Sequence, residues 1–199
     1  MRIVQVGANK GYDDLSNHLL THYDNIEFGL FVEPNPVHID SLKECYKKYP
    51  NAIFDQRAIK STLDPRDEME LFYFDNDVLS NYEKASSKIE HLEKHKSWNA
   101  PGCDGNISSF KAESITLDNL FYQYGIRDLD WLMLDIEGMD AEIILTFDWK
   151  KYNIGRVEFE HYHLGPYGDP ILNMFHGMRY VPVPALNPYY DCAFQKIRY

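Results

Sequence analysis

Ile3-Val4-Gln5-Val6-Gly7-Ala8-Asn9-Lys10-Gly11 is the stretch that decides the fold. A short β-branched run stops at Gly7, and a second glycine follows after three residues. Tyr12, Leu15, Leu19 and Tyr23 then recur at helical spacing. Asp13 and Asp14 fall in the first turn of that helix, where acids favour its dipole. A strand, a glycine turn and a helix in this order open a βαβ unit.

Working outward, Phe28 to Val32 reads as a second strand, closed by Glu33-Pro34. Ile39, Leu42, Tyr46 and Tyr49 mark a second helix, and Ala52-Ile53-Phe54 a third strand. This alternation predicts a parallel sheet with right-handed crossovers. The middle is less regular. Glu70 to Phe74 reads as a strand, and Tyr82, Ala85, Ile89 and Leu92 suggest a polar helix. His95 to Ser109 is rich in Gly, Asn, Ser and Pro and reads as a loop, inserted near the mouth of a substrate site. Regularity returns with a helical face at Leu117, Leu120, Phe121 and Tyr124. Trp131-Leu132-Met133-Leu134 is nearly all apolar, as a central strand buried on both faces requires. It ends in Asp135. Met139, Ile143 and Phe147 form the next helix, and Arg156 to Glu160 alternates as a strand. Arg179–Val183 and Cys192–Ile197 read as two strands joined by a Pro-rich loop. The expectation is one α/β domain over residues 1–199, a doubly wound, mostly parallel sheet with a C-terminal antiparallel hairpin.

Composition bounds the function. The 199 residues are 44% hydrophobic and 26% charged, the profile of a soluble globular chain. No apolar run approaches the ~18 residues that cross a bilayer. The first strand begins so near Met1 that no leader is expected, and the setting expected is cytoplasmic. The same proximity suggests one domain of a larger enzyme, with glycosyltransferase domains beside it. The net charge of −11 carries no basic cluster of the kind that neutralises phosphates, so no nucleic-acid partner is expected. A neutral or cationic small molecule, or a glycan, suits it better. Cys45, Cys103 and Cys192 are too few and too scattered for a disulfide framework or a zinc site.

In an open parallel sheet, ligands lie beyond the carboxyl ends of the strands. The glycine turn after the first strand lets a ligand approach backbone, and the next helix offers free N–H groups to an anionic group. Glu33, 22 residues beyond Gly11, can accept two hydrogen bonds from ribose hydroxyls. The Gly-x-x-x-Gly spacing departs from the Gly-x-Gly-x-x-Gly of dinucleotide sites. A nucleoside without a pyrophosphate, such as S-adenosylmethionine, fits the looser loop. A purely structural glycine turn is the alternative.

Five segments carry a family resemblance. They are Val6-Gly7-Ala8-Asn9-Lys10-Gly11-Tyr12, Phe31-Val32-Glu33-Pro34-Asn35, Ile115-Thr116-Leu117-Asp118-Asn119-Leu120, Leu134-Asp135-Ile136-Glu137-Gly138-Met139-Asp140-Ala141-Glu142-Ile143 and Val157-Glu158-Phe159-Glu160. In this order the chain resembles the FkbM family of methyltransferases. The resemblance implies a Rossmann-like class I fold with a seven-stranded sheet, S-adenosylmethionine as methyl donor, and O-methylation of hydroxyls, often on sugars or polyketides. By position, Gly7, Asn9 and Gly11 would line the methionine end, with Ala8 and Lys10 of the same loop and Gln5 of the preceding strand also expected at the cofactor. Glu33 and Pro34 would hold the ribose. The segment Asp55-Gln56-Arg57-Ala58-Ile59 would border the adenine, with Ala58 and Ile59 as its cofactor contacts. Ser108 and Ser109 resemble a small polar pair near the cofactor. His161-Tyr162-His163-Leu164 and Asn187-Pro188-Tyr189-Tyr190-Asp191 have no counterpart that can be matched.

A sugar hydroxyl is a weak nucleophile, and its methylation gains from in-line placement and from a general base. Asp135, at a strand's carboxyl edge, is the first candidate for base, cofactor contact or metal ligand; capping the next helix is its structural alternative. Glu137 could serve instead or satisfy backbone N–H groups. Glu160 and His161 end the neighbouring strand and are the other catalytic candidates. Asp135, Glu160 and His161 together could hold Mg²⁺ or Mn²⁺, or could simply hydrogen-bond without metal. Tyr162, Tyr167, Tyr189 and Tyr190 could stack on a sugar face or pack as a lid. The expected activity is O-methylation of a carbohydrate hydroxyl. The rivals are a non-sugar acceptor and a non-catalytic nucleoside-binding module. The oligomeric state is left open.

Overall fold

The computed structural model describes residues 1–75, 85–97, 105–136 and 138–197. In chain order the strands are β1 (Arg2–Val6), β2 (Phe28–Val32), β3 (Ala52–Asp55), β4 (Ala58–Lys60), β5 (Glu68–Asp75), β6 (Ala85–Ser86), β7 (Asn106–Thr116), β8 (Asp128–Leu134), β9 (Asn153–Glu160), β10 (Tyr180–Val183) and β11 (Asp191–Lys196). The helices are α1 (Asp14–His22), α2 (Ile39–Cys45), α3 (Ile89–Ser97), α4 (Leu117–Gln123), α5 (Asp140–Thr146) and α6 (Gly168–Gly177).

The main sheet is mostly parallel, in the order β10-β11-β9-β8-β1-β2-β3. Strand order reverses at β1, which is flanked by β2 on one side and β8 on the other. The registers align the carboxyl ends: Val6 pairs with Val32 and with Leu134, and Leu134 with Phe159. A crevice beyond these ends is where such sheets bind ligands. β11 runs antiparallel between β9 and β10, so the last two strands close that edge.

Period-two alternation explains why the central strands are apolar throughout. Val4, Val6, Leu30, Val32, Leu132, Leu134, Val157 and Phe159 face one side, against α4, α5 and α6. Ile3, Phe31, Trp131 and Met133 face the other, against α1 and α2 through Leu15, Leu19 and Leu42. Each such large side chain contributes about 1.5–3 kcal/mol on burial, so a one-residue slip of any strand is strongly disfavoured. The expected acidic start of α1 is more specific than a dipole effect. Asp13 is the N-cap; its carboxylate accepts from the Ser16 N–H at 2.7 Å, while Ser16 Oγ accepts from the Asp13 N–H at 2.9 Å. Tyr12 is exposed and outside the helix, so its place in the helical pattern was incidental.

The middle of the chain departs from expectation. A second sheet, β4-β7-β5-β6, packs on the α4 side of the main sheet through Ala58, Ile59, Met69, Leu71, Ala112 and Ile115. β5 and β7 pair antiparallel from Glu68↔Glu113 to Asp75↔Asn106. The segment read as a loop from His95 to Ser109 therefore ends as strand from Asn106, and it begins inside α3. Tyr82, in the expected polar helix, and residues 98–104 lie outside the described residues. The sequence reading assigned no element to the segment that forms α6. The signal present was Ile171 and Phe175, four apart and both fully buried. No helix among the described residues is long and apolar enough to cross a membrane.

Candidate active site

The turn after β1 is shaped by one close approach. Gly7 has φ +78°, and its N–H donates to the Val32 carbonyl at 2.9 Å. A Cβ built there would lie 1.8 Å from the Asp135 carbonyl oxygen. Only glycine lets β1 leave the sheet while pressed against the end of β8. Asn9 follows with φ +49°, tolerable for Asn because its carboxamide bonds locally: its Oδ1 accepts from the Lys10 N–H at 2.7 Å.

Glu33 ends β2 and is buried, 5% exposed. Its Oε2 accepts from the Asn9 N–H and its Oε1 from the Asn35 N–H, both at 2.8 Å. These two bonds tie the β1 and β2 turns into one rim and use one lone-pair direction on each oxygen. Burial raises the Glu33 carboxyl to about 7, against the pull of the two N–H groups. Asp55, at the end of β3, behaves oppositely. Burial works against its ionisation, but Arg57 bonds both oxygens and the Tyr124 hydroxyl bonds Oδ2, and these hold it below the ordinary value.

These turns border an open cleft at the carboxyl ends of β1, β2 and β8. Of the residues expected to bind a cofactor, Gly7, Asn9, Glu33, Pro34, Ile59 and Asp135 line it. The others have different places. Gln5 is buried behind the turn, donating to Asp13 Oδ2 at 2.6 Å and accepting from the Tyr46 hydroxyl. Ala8 packs into the α1–α2 core. The Lys10 carbonyl accepts from Ser41 Oγ. At Gly11, with φ +82°, a Cβ would meet Cys45 Cβ at 2.9 Å, so this glycine seats the turn on α2. Ala58 is buried between the two sheets. Ser108 and Ser109 lie in β7, opposite Tyr73 and Phe72, and do not line the cleft. Ser109 is exposed and donates to Glu70 Oε1 at 2.7 Å.

The cleft also takes residues that motif reading missed. Val6, Val32, Met69, Leu71, Ala85, Ile136 and Met139 make it apolar, and His38 and Ser87 add polar groups beside Arg57, which belongs to the segment expected at the adenine. Met69, Leu71, Ala85 and Ser87 come from or beside the second sheet, which no periodicity placed there. His38 could have been suspected from its position five residues after Glu33, at the head of α2.

The trio Asp135, Glu160 and His161 does not assemble as a metal centre. Among the described residues no group of three or more His, Cys, Asp or Glu side chains is placed to hold an ion. Asp135 is exposed at the cleft. Glu160 is buried, with Oε1 3.4 Å from His163 Nε2. His161 is exposed, its backbone N–H donating to the Tyr190 carbonyl at 2.8 Å. The turn after β9 carries His161 outward and His163 inward. Glu137 lies outside the described residues.

The family model described as the methyltransferase FkbM domain matches residues 5–182. No curated protein matches the chain. The crystal structure of a methyltransferase FkbM from Methylobacillus flagellatus KT shares the fold, with a TM-score of 0.53 at 12% identity. The superposition covers 98% of this chain and 43% of that one, so this chain spans less than half of that protein's length. Two other structures are similar more distantly. Aeropyrum pernix fibrillarin, with natively bound S-adenosyl-L-methionine, has a TM-score of 0.45 at 10% identity, covering 98% of this chain and 66% of that one. A ribosomal protein L11 methylase from Lactobacillus delbrueckii subsp. bulgaricus has a TM-score of 0.45 at 10% identity, covering 98% and 70%.

Proposed function

Because the chain belongs to the methyltransferase FkbM domain family, we propose that it transfers a methyl group from S-adenosylmethionine to a hydroxyl oxygen of a sugar or glycan. The observation that carries the donor half is the juxtaposition of Gly7, Glu33 and Asp135 around one cleft at the reversal of strand order. The residues fit the donor by their chemistry. Glu33 keeps a second lone-pair direction on each oxygen for ribose hydroxyls. Ile59, Met69 and Leu71 offer an apolar bed for a base, and Arg57 a polar edge. The turn at Gly7 and Asn9 leaves room at the methionine end. Bound there, the donor supplies an activated methyl on a sulfonium; the protein supplies position and a dry wall. Asp135, exposed on the cleft rim, orients the groups that meet there.

The acceptor half rests on the aromatic rim. Tyr162 and Tyr190 are half exposed, and their ring centroids lie 6.3 Å apart beside Glu160 and His161. Such rings suit the apolar face of a sugar. The doubly wound sheet of class I enzymes with its terminal hairpin, a cytoplasmic setting and neighbouring glycosyltransferase domains belong to the same proposal.

Two measurements test it. Calorimetry with S-adenosylmethionine and its demethylated product is expected to show binding of both. Transfer of isotope-labelled methyl to a panel of sugars is then expected, and Asp135→Asn is expected to lose turnover while keeping donor affinity. No heat with either compound overturns the donor half. Binding with no transfer to any hydroxyl points to the non-catalytic module instead.

A further inference from the structure

The turn after β9 gathers three side chains that the donor cleft does not use. Glu160 follows Phe159, which pairs with Leu134, so it stands beside Asp135 at the mouth. The Leu164 N–H donates back to the His161 carbonyl at 3.3 Å. That turn folds His163 against Glu160, Nε2 to Oε1 at 3.4 Å, with the imidazole only 10% exposed. From the opposite wall α3 brings His91, whose ring meets that of His163 edge-on, centroids 4.4 Å apart with planes at 76°. His91 also closes on the turn after β8: a Cβ on Gly138, which has φ +90°, would come within 3.4 Å of its Nδ1. The neighbours of this turn and of α3, Ile136 and Met139 on one side and Ser87 on the other, line the cleft. The cluster therefore borders the donor site on its β8–β9 side.

We propose that His163, held by Glu160 and walled in by His91, takes the proton of the acceptor hydroxyl. The inference rests on the methyl-transfer reading and assigns its base. In the step, the acceptor oxygen forms a C–O bond to the methyl carbon as the C–S bond breaks. The electron pair of that bond stays on sulfur, leaving a neutral thioether. The hydroxyl proton passes to the His163 nitrogen that does not face Glu160, and the imidazolium so formed is paired with the Glu160 carboxylate. Asp135 is the rival. A base works best when its pKa lies near the operating pH, which suits an imidazole better than a carboxylate as a residue type. A buried carboxylate 3.4 Å away also steadies the cation as it appears, which an isolated buried imidazole lacks. His161 is exposed on the same turn, its N–H bonded to the Tyr190 carbonyl.

Among the described residues, the titratable groups around His163 come from four elements. They are Glu160 of β9, His91 of α3, Tyr162 of the turn itself at 5.0 Å between rings, and Asp191 of β11, paired in register with Glu160. Lys88 and Glu142 bond one another beyond His91, and Lys88 also donates to the Gly138 carbonyl. Removing the Glu160 charge is therefore the cleanest perturbation.

The test uses the full chain and has two arms. In the first, the histidine rings are labelled with nitrogen-15 and titrated by NMR from pH 5 to 9, without donor or acceptor. His163 is expected to change protonation inside this window, and Glu160→Gln to lower its midpoint by about one unit. A ring that keeps one protonation state throughout, or a midpoint unmoved by Glu160→Gln, overturns the proposal. In the second, labelled methyl transfer from S-adenosylmethionine to a panel of monosaccharides is followed. His163→Ala is expected to fall at least about a hundredfold, with the calorimetric affinity for the donor unchanged. Equal transfer by His163→Ala refutes the base assignment alone. Wild-type protein that gives no heat with the donor fails the methyl-transfer reading and this inference with it.

Discussion

Replacing Glu33 by glutamine isolates a strongly perturbed carboxyl of the donor cleft. In the folded protein this group titrates near 7, against an ordinary value of 4.5. The difference of about 2.5 units corresponds to about 3 kcal/mol. The sign follows from proton counting. Between pH 4.5 and 7 the unfolded chain has released this proton while the folded chain still holds it. Stability from this group is thus fully present below pH 4.5 and is lost progressively as pH rises to about 7. Glutamine carries no such proton. It also offers an amide NH₂ where one of the Asn9 and Asn35 N–H groups needs an acceptor, a cost of about 1–3 kcal/mol that does not vary with pH. Urea unfolding of both proteins at half-unit steps from pH 4.5 to 8 reads the difference. The variant is expected to be less stable by about 1–3 kcal/mol at pH 4.5, and the wild type to lose about 3 kcal/mol relative to it by pH 8, so that the two curves meet or cross. Asp191, also raised to about 7 by burial and by Glu158, Asp14 and Asp13, adds a slope of the same sign. That slope is common to both proteins and cancels in the difference. Parallel stability curves across the window would refute the assignment of Glu33 as a buried, largely neutral acid.

Other outcomes follow from the same geometry. Donor hydroxyls favour the ionised form of Glu33, so calorimetric affinity for S-adenosylmethionine should fall about tenfold from pH 8 to pH 6, with proton release visible in buffers of different ionisation enthalpy; an affinity flat over this range removes Glu33 from the ribose. Gly7→Ala should cost about 3 kcal/mol in chemical unfolding and abolish donor binding, because a Cβ 1.8 Å from the Asp135 carbonyl forces β1 and β8 apart. Gly125→Ala is its control. Gly125 has φ +63° but nothing within 4 Å of an added Cβ, so only the backbone penalty of about 1–2 kcal/mol is expected.

The donor half of the cleft was legible in sequence because backbone makes it. A Gly7 forced by an oncoming carbonyl and a Glu33 tied to two backbone N–H groups leave fixed residue types at fixed spacing. Gly11, Gln5 and Ala8 carry the same motif for another reason, seating the turn on α2 and the α1 cap, and spacing alone does not separate the two roles. The second sheet was hidden by composition. β7 starts directly after a segment rich in Gly and Asn, and its outer face is exposed at Ser109, Lys111 and Glu113, so it reads as loop until its β5 partner is known. Its contribution to the cleft comes through long-range pairing, which leaves no local period. The choice of His163 over His161 turns on a single backbone hydrogen bond after β9, and two histidines two residues apart look alike in sequence.

These two halves differ in how they are held. On the donor side, the strands that present Gly7, Glu33 and Asp135 are neighbours in one parallel sheet, with ladder bonds on both edges of β1. On the proposed acceptor side, β9 belongs to the main sheet while α3 belongs with the second, and they meet through ring contact between His91 and His163 and through the Gly138 turn. Relative movement of the two sheets therefore changes the acceptor wall while leaving the Gly7–Glu33 rim in register. Substitutions at the sheet–sheet packing residues Met69, Leu71 and Ala112 should accordingly act on acceptor selectivity and turnover through the wall they support. Met69 and Leu71 also line the donor cleft, so Ala112, which does not line it, is the position where the two effects separate.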